Sequence, residues 1–127
     1  MGSFGRCAVL TAQNLQRNAG ACPLQAWQLT INHMRLAVST SRKCCAKYAF
    51  LGLCQRGLVR NVVPCGCHIR IGANGQYAID AARILIQSGI RPTQFIQTAL
   101  WARVPNHAKT HNQQMDVVIS LWNRGLI

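Results

Sequence analysis

Apolar residues recur at three- and four-residue steps along almost the whole chain, and that spacing restricts the fold more than any other feature. Cys7, Ala8, Leu10, Ala12 and Leu15 form one stripe, and Leu24, Trp27, Ile31, Met34 and Val38 a second. Tyr48, Leu51 and Cys54 form a third, and Phe95, Ala99 and Trp101 another. These steps match the 3.6-residue turn of an α-helix with one face inward. Asn18-Ala19-Gly20 ends the first helix, and Pro23 suits the first turn of the second, which Ser39-Thr40-Ser41 breaks. A third runs from about Cys44 to Arg56, with Gly57 as its natural C-cap. Between Asn61 and Asn74 the glycines and Pro64 read as a loop or short extended connection. With 127 residues, half of them hydrophobic, the chain is long enough for one domain with its own core and needs no disulfide or metal to hold it.

The second half echoes the first. Gly75-Gln76-Tyr77-Ala78 follows Gly5-Arg6-Cys7-Ala8 by seventy residues, and Pro92 stands where Pro23 stood, opening the helix that carries Phe95 and Trp101. Leu121-Trp122-Asn123-Arg124-Gly125-Leu126-Ile127 matches Leu53-Cys54-Gln55-Arg56-Gly57-Leu58-Val59 at an offset of sixty-eight. The expected fold is therefore all-α, a compact bundle of about six helices in a single domain over 1–127. It is read as two pseudo-repeated three-helix units, 5–59 and 75–127, joined by loop 60–74. Trp27, Trp101 and Trp122 sit at helical spacings and read as core anchors. A three-helix unit of some fifty residues is marginal alone, so the halves are expected to pack on each other, in a monomer or a homodimer.

Charge is the second constraint. Fourteen Lys and Arg stand against two acids, Asp80 and Asp116, a formal +12, and eleven of the fourteen are Arg. Such imbalance favours an anionic partner, nucleic acid first and an acidic membrane or acidic protein behind it. The planar guanidinium grips phosphate at two points, which an ammonium cannot do. The densest cations are Arg42, Lys43 and Lys47 at the start of the third helix, with Arg56, Arg60 and Arg70 around its end and the following loop. A groove between the halves lined by these six would track a nucleic-acid backbone by neutralising phosphates. Tyr48 and Tyr77 fit core stripes better than a stacking platform.

Cysteine and histidine supply a competing reading. Cys65 and Cys67 with His107 and His111 make four soft ligands for a tetrahedral zinc, although one residue between the cysteines is short for a zinc knuckle. Elsewhere Cys7 and Cys54 fall in core slots. Catalysis has little to draw on with two carboxylates, Asp80 paired to Arg83 three residues on and Asp116 near the start of the last helix. Thr110 with Gln113 fits a capping box that would simply start that helix. The sharper alternative sets His111 and Asp116 in a pocket against Cys65 or Cys67, a thiol–imidazole pair. A non-enzymatic protein without a cofactor is expected. Cys7-Ala8-Val9-Leu10 is too short for a signal-peptide core, no apolar run is long enough to span a membrane, and seven cysteines without a secretion signal indicate reduced thiols in a cytoplasm.

Two blocks carry a family resemblance. Ala49-Phe50-Leu51-Gly52-Leu53-Cys54 with Gly57-Leu58-Val59 is one, and His111-Asn112 followed by Gln114-Met115-Asp116-Val117-Val118, Leu121-Trp122 and Gly125-Leu126-Ile127 is the other. They resemble a bacterial family of small proteins of unknown function, often carried on integron cassettes, phages and other mobile DNA. The resemblance implies a short cytoplasmic all-α protein and no mechanism, and it singles out His111, Asn112, Gln114 and Asp116 as a polar cluster of the tail motif. The function expected is nucleic-acid binding through the phosphate backbone. A mobile-element protein-interaction module acting on an acidic host or phage protein is the alternative, and a Cys/His zinc-stabilised protein the second.

Overall fold

The computed structural model describes residues 2–34, 44–64, 70–109 and 113–127, and among them there are six helices and no strand. They are α1 (Ser3–Arg17), α2 (Pro23–His33), α3 (Cys44–Gln55), α4 (Ala73–Ser88), α5 (Gln97–Arg103) and α6 (Gln114–Asn123). The all-α expectation holds.

Two of these helices form the centre because they are apolar on most sides. In α3, Ala46 and the unbroken run Ala49–Cys54 are buried, and in α6 only Ile119 and Asn123 escape burial. A helix that is apolar on most sides has to be covered on most sides. α6 accordingly touches α1, α3, α4 and α5, while α3 lies chiefly on α4 and also against α2 and α6. The two blocks of the family resemblance are these central helices. The amphipathic α1 closes the bundle with Phe4, Cys7, Ala8, Ala12 and Leu15 inward. The three tryptophans are core residues, as expected. Trp27 of α2 stacks at 5.2 Å on Phe50 of α3, and Trp101 of α5 meets Tyr77 of α4 edge-on at 5.0 Å.

α3 and α4 approach so closely because glycine meets glycine. A Cβ on Gly52 would stand 2.6 Å from Gly75 Cα, and one on Gly75 would stand 3.3 Å from both Gly52 Cα and the Tyr48 carbonyl. Gly75 therefore lies in the first turn of a packed helix, at its contact with α3.

The two endings that echo each other share one geometry. Leu58 N–H donates to Leu53 O and Gly57 N–H to Cys54 O, both at 3.0 Å. Leu126 N–H donates to Leu121 O at 2.9 Å and Gly125 N–H to Trp122 O at 3.0 Å. Gly57 and Gly125 hold φ of 69° and 71°. Each is a Schellman ending, which a glycine followed by an apolar residue produces locally. That local chemistry is enough to make the two segments alike.

Three local expectations need correction. Pro92 does not open a helix: α5 starts only at Gln97, so Phe95 lies ahead of it. Gln113 is not the third residue of a capping box. It is itself the residue before α6, in the left-handed region at φ 71°. Leu10, Leu24 and Tyr48 do not face the core, being 38, 39 and 40 % exposed. In α3 the stripe that turns inward is Ala46, Ala49, Phe50 and Leu53, which sets Tyr48 on the opposite side. The break at 39–41 lies outside the described residues.

Candidate functional site

Of the six cations expected to line an interface, Arg42 and Lys43 lie outside the described residues and the other four fall into two groups. Lys47 projects from the first half of α3, half-buried, with its ammonium 4.9 Å from the centre of the Tyr48 ring. Arg70 is exposed just ahead of α4. Both line one groove of about 520 Å³, with Tyr48, Leu24 and Leu51 on one side and Gly72, Ala73 and Asn74 of the α4 start on the other. Leu51 is buried and forms its floor, while Tyr48 and Leu24 stand open at its rim.

Arg56 and Arg60 are exposed at the far end of α3, on either side of the Gly57 turn. Nine residues of helical rise separate Lys47 from Arg56, about 13 Å. The main chain at Arg60 is held firmly: its N–H donates to Leu126 O at 2.8 Å, and its carbonyl accepts from Gln16 Nε2 at 2.7 Å. Arg91, which no sequence argument singled out, is nearby. Desolvation, and then the charge of Arg60, lowers its pKa from the usual arginine value. It nevertheless stays a cation at neutral pH. Its guanidinium lies 3.6 Å over the Trp122 ring and donates to the carbonyls of Trp122, at 2.7 Å, and Ile127. Arg91 thus staples the end of α6.

The tail-motif residues divide. His111 and Asn112 lie outside the described residues, as do Cys65 and Cys67, so the zinc and thiol–imidazole candidates reduce to His107 and Asp116. The His107 ring stacks on Trp101 at 5.1 Å, beyond the end of α5, with Nδ1 2.6 Å from Ala108 O. Asp116 is 2 % exposed, and its carboxylate reaches the start of α1. Oδ1 accepts from Gly2 N–H at 3.0 Å and from the Ser120 hydroxyl at 3.3 Å, and Oδ2 accepts from Gly5 N–H at 2.8 Å. The first N–H groups of any helix lack intrahelical acceptors, and here a side chain from α6 supplies them for α1. A Cβ on Gly2 would come within 2.5 Å of Oδ2, and one on Gly5 within 2.6 Å of Oδ1. Asp116 is therefore a cap contributed across the fold. Gln114, also buried, donates to Asn74 Oδ1 at 2.8 Å and so ties α6 to the turn that walls the groove.

Asp80 accepts from Gln76 Nε2 at 3.0 Å, within its own helix. Cys7 and Cys54 are core residues, as expected. Burial pushes both thiols up to about 12, slightly countered at Cys7 by the Thr11 hydroxyl, so both are protonated and unreactive at neutral pH. A larger groove of about 970 Å³ runs between α1 and α2, with Leu10, Leu29 and Met34 as its apolar lining and Arg6 and His33 at its edge. Sequence reasoning missed the Lys47–Tyr48–Arg70 groove and the role of Asp116. For the groove a signal existed, since the 46/49/50/53 stripe competes with the 48/51/54 stripe and excludes Tyr48 from the core. For the role of Asp116 as a cap none did, because the N–H groups it caps stand more than a hundred residues away.

A family model described as "Family of unknown function (DUF6979)" matches residues 1–127, and the chain belongs to that family. No curated protein and no solved structure matches it.

Proposed function

For a member of a family that carries no assigned activity, we propose nucleic-acid binding through the phosphate backbone, with Lys47 and Arg70 at one end of α3 and Arg56 and Arg60 at the other. The observation that carries the reading is the convergence of Lys47 and Arg70, twenty-three residues apart in the chain, on one groove. Arg56 and Arg60 form a second basic group at the other end of α3, about 13 Å away along its axis and half a turn round it. The protein is taken as non-enzymatic: the buried thiols are neutral, and both oxygens of Asp116 are occupied by the α1 cap and Ser120. Among the described residues no helix is long and apolar enough to cross a membrane, and the reading places the protein in the cytoplasm.

The test is fluorescence anisotropy of labelled duplex DNA, single-stranded DNA and RNA across a salt series. Four phosphate contacts on duplex predict a slope of log K against log salt of about −3.6. The double variant Arg56→Ala/Arg60→Ala should flatten it by about 1.8, equally for unrelated sequences. A wild-type protein that binds none of the three at physiological salt refutes the proposal. A second reading, an acidic protein partner, is favoured by the 970 Å³ groove, whose apolar lining and Arg6 at its edge complement an acidic amphipathic segment. Binding of such a labelled peptide, abolished by Leu29→Asp and unaccompanied by nucleic-acid binding, selects it.

A further inference from the structure

We infer that the groove beside Tyr48 takes one unpaired nucleotide of a single strand, with its base against the phenol ring and its phosphate between Lys47 and Arg70. This rests on the nucleic-acid reading above and specifies the form of nucleic acid. The ring is the first reason. Tyr48 sits in a helix whose next six residues are all buried, yet it leaves 40 % of its own surface open, beside a comparably open Leu24. Both line the same groove, so two large apolar groups are presented there together.

The size of the groove is the second reason. About 520 Å³ falls within the range of small-molecule sites, room for a single nucleotide. The width of a duplex keeps its bases outside such a groove and leaves only phosphates in reach. The chemistry of the lining is the third. A nucleotide needs an apolar face for the base and cations for the phosphate within one residue's reach. The groove puts Tyr48, Leu24 and the Leu51 floor beside Lys47 and Arg70, with the Lys47 ammonium over the ring, 4.9 Å from its centre, so that a base seated on that face displaces the ammonium toward the phosphate. A phosphate drawn to that ammonium is held next to the ring. Stacking on an aromatic face tolerates every base, so the site should show little sequence preference.

The experiment compares a short fluorescein-labelled oligothymidylate, the same strand annealed to its complement, and an abasic strand of equal length, all at one salt concentration. The wild type should bind the thymidylate more tightly than either of the others. Tyr48→Ala should weaken thymidylate binding roughly 5- to 100-fold while leaving duplex and abasic binding within about twofold, and Tyr48→Phe should restore it. Lys47→Ala and Arg70→Ala should weaken all three. Because Tyr48 is exposed, unchanged circular dichroism and thermal midpoint are expected for its variants and confirm that the fold is intact. If Tyr48→Ala changes thymidylate and duplex binding alike, or neither, the nucleotide seat is overturned while backbone binding stands. If the wild type binds no strand at all, both fall.

Discussion

Removing the Asp116 carboxylate should unseat the start of α1, and the cost can be worked from its contacts. Asp116→Ala leaves the buried Gly5 N–H without its acceptor at 2.8 Å and the partly buried Gly2 N–H without its acceptor at 3.0 Å. A stranded buried donor costs about 1–3 kcal/mol, and a lost helix cap about 1 kcal/mol. The Ser120 hydroxyl, 3.3 Å from Oδ1, adds a smaller loss. The expected total is about 3 kcal/mol, a drop in thermal midpoint of roughly 12 °C for a domain of this size. Asp116→Asn keeps one carbonyl acceptor but turns an NH2 toward a donor, so it should fall between the wild type and the alanine variant. Urea and thermal unfolding followed by far-ultraviolet circular dichroism measure both. Amide exchange should report the loss at Gly5 ahead of any change in the α3–α4 core. Gly5→Ala offers an independent check, because its methyl would press on Oδ1 and overlap Ser120 Oγ. Combined with Asp116→Ala and Ser120→Ala, which clear that space, it should cost markedly less than it does alone. An Asp116→Ala protein within 1 kcal/mol of the wild type, by the stated cap and donor costs, would refute the assignment.

Two further perturbations test the packing. Gly52→Ala should destabilise by about 1–3 kcal/mol, because its methyl meets Gly75 backbone at 2.6 Å and one of the helices has to shift. Gly75→Ala, with its nearest contacts at 3.1–3.3 Å, should cost less, and urea unfolding ranks the pair. The thiols supply the pH dependence: burial holds Cys7 and Cys54 at about 12, against an ordinary value of 9.0. They favour the folded state fully below about pH 9, and that advantage is lost progressively as pH rises toward 12. At about pH 8 iodoacetamide should leave both unmodified in the native protein and modify both once urea unfolds it, read by peptide mass spectrometry.

Much of the architecture was legible because its causes are local. A helix reveals itself through apolar spacing within two or three turns, and its end through one residue. The α1 boundary at Arg17, Pro23 in the first turn of α2, and the Gly57 and Gly125 endings are settled by neighbours less than six residues away. The burial of α3 also follows from composition, whereas α6 buries Gln114, Asp116 and Ser120 as well, which composition does not explain. The positive charge of the surface is likewise a property of the chain alone.

The site was legible only in part, and the reason is the competition between faces and distant partners. Tyr48 belongs to one apolar stripe of α3 by spacing and is excluded from the core because Ala46, Ala49, Phe50 and Leu53 pack better against the neighbouring helices. That choice is made between helices, where two smooth alanines and two larger side chains fit a surface that a phenol ring would hold apart. Lys47 and Arg70 meet because the glycines at 52 and 75 let α4 come close enough to α3 to wall the groove. Asp116 caps α1 only because α6 is threaded past its first turn, a proximity that no spacing along the chain encodes. Which helices form and where they stop is short-range chemistry, carried by each residue with its near neighbours. Which face turns inward, which carboxylate finds which N–H, and which cations share a groove are decided by contacts between segments far apart in the chain, and these exist only once the bundle has closed.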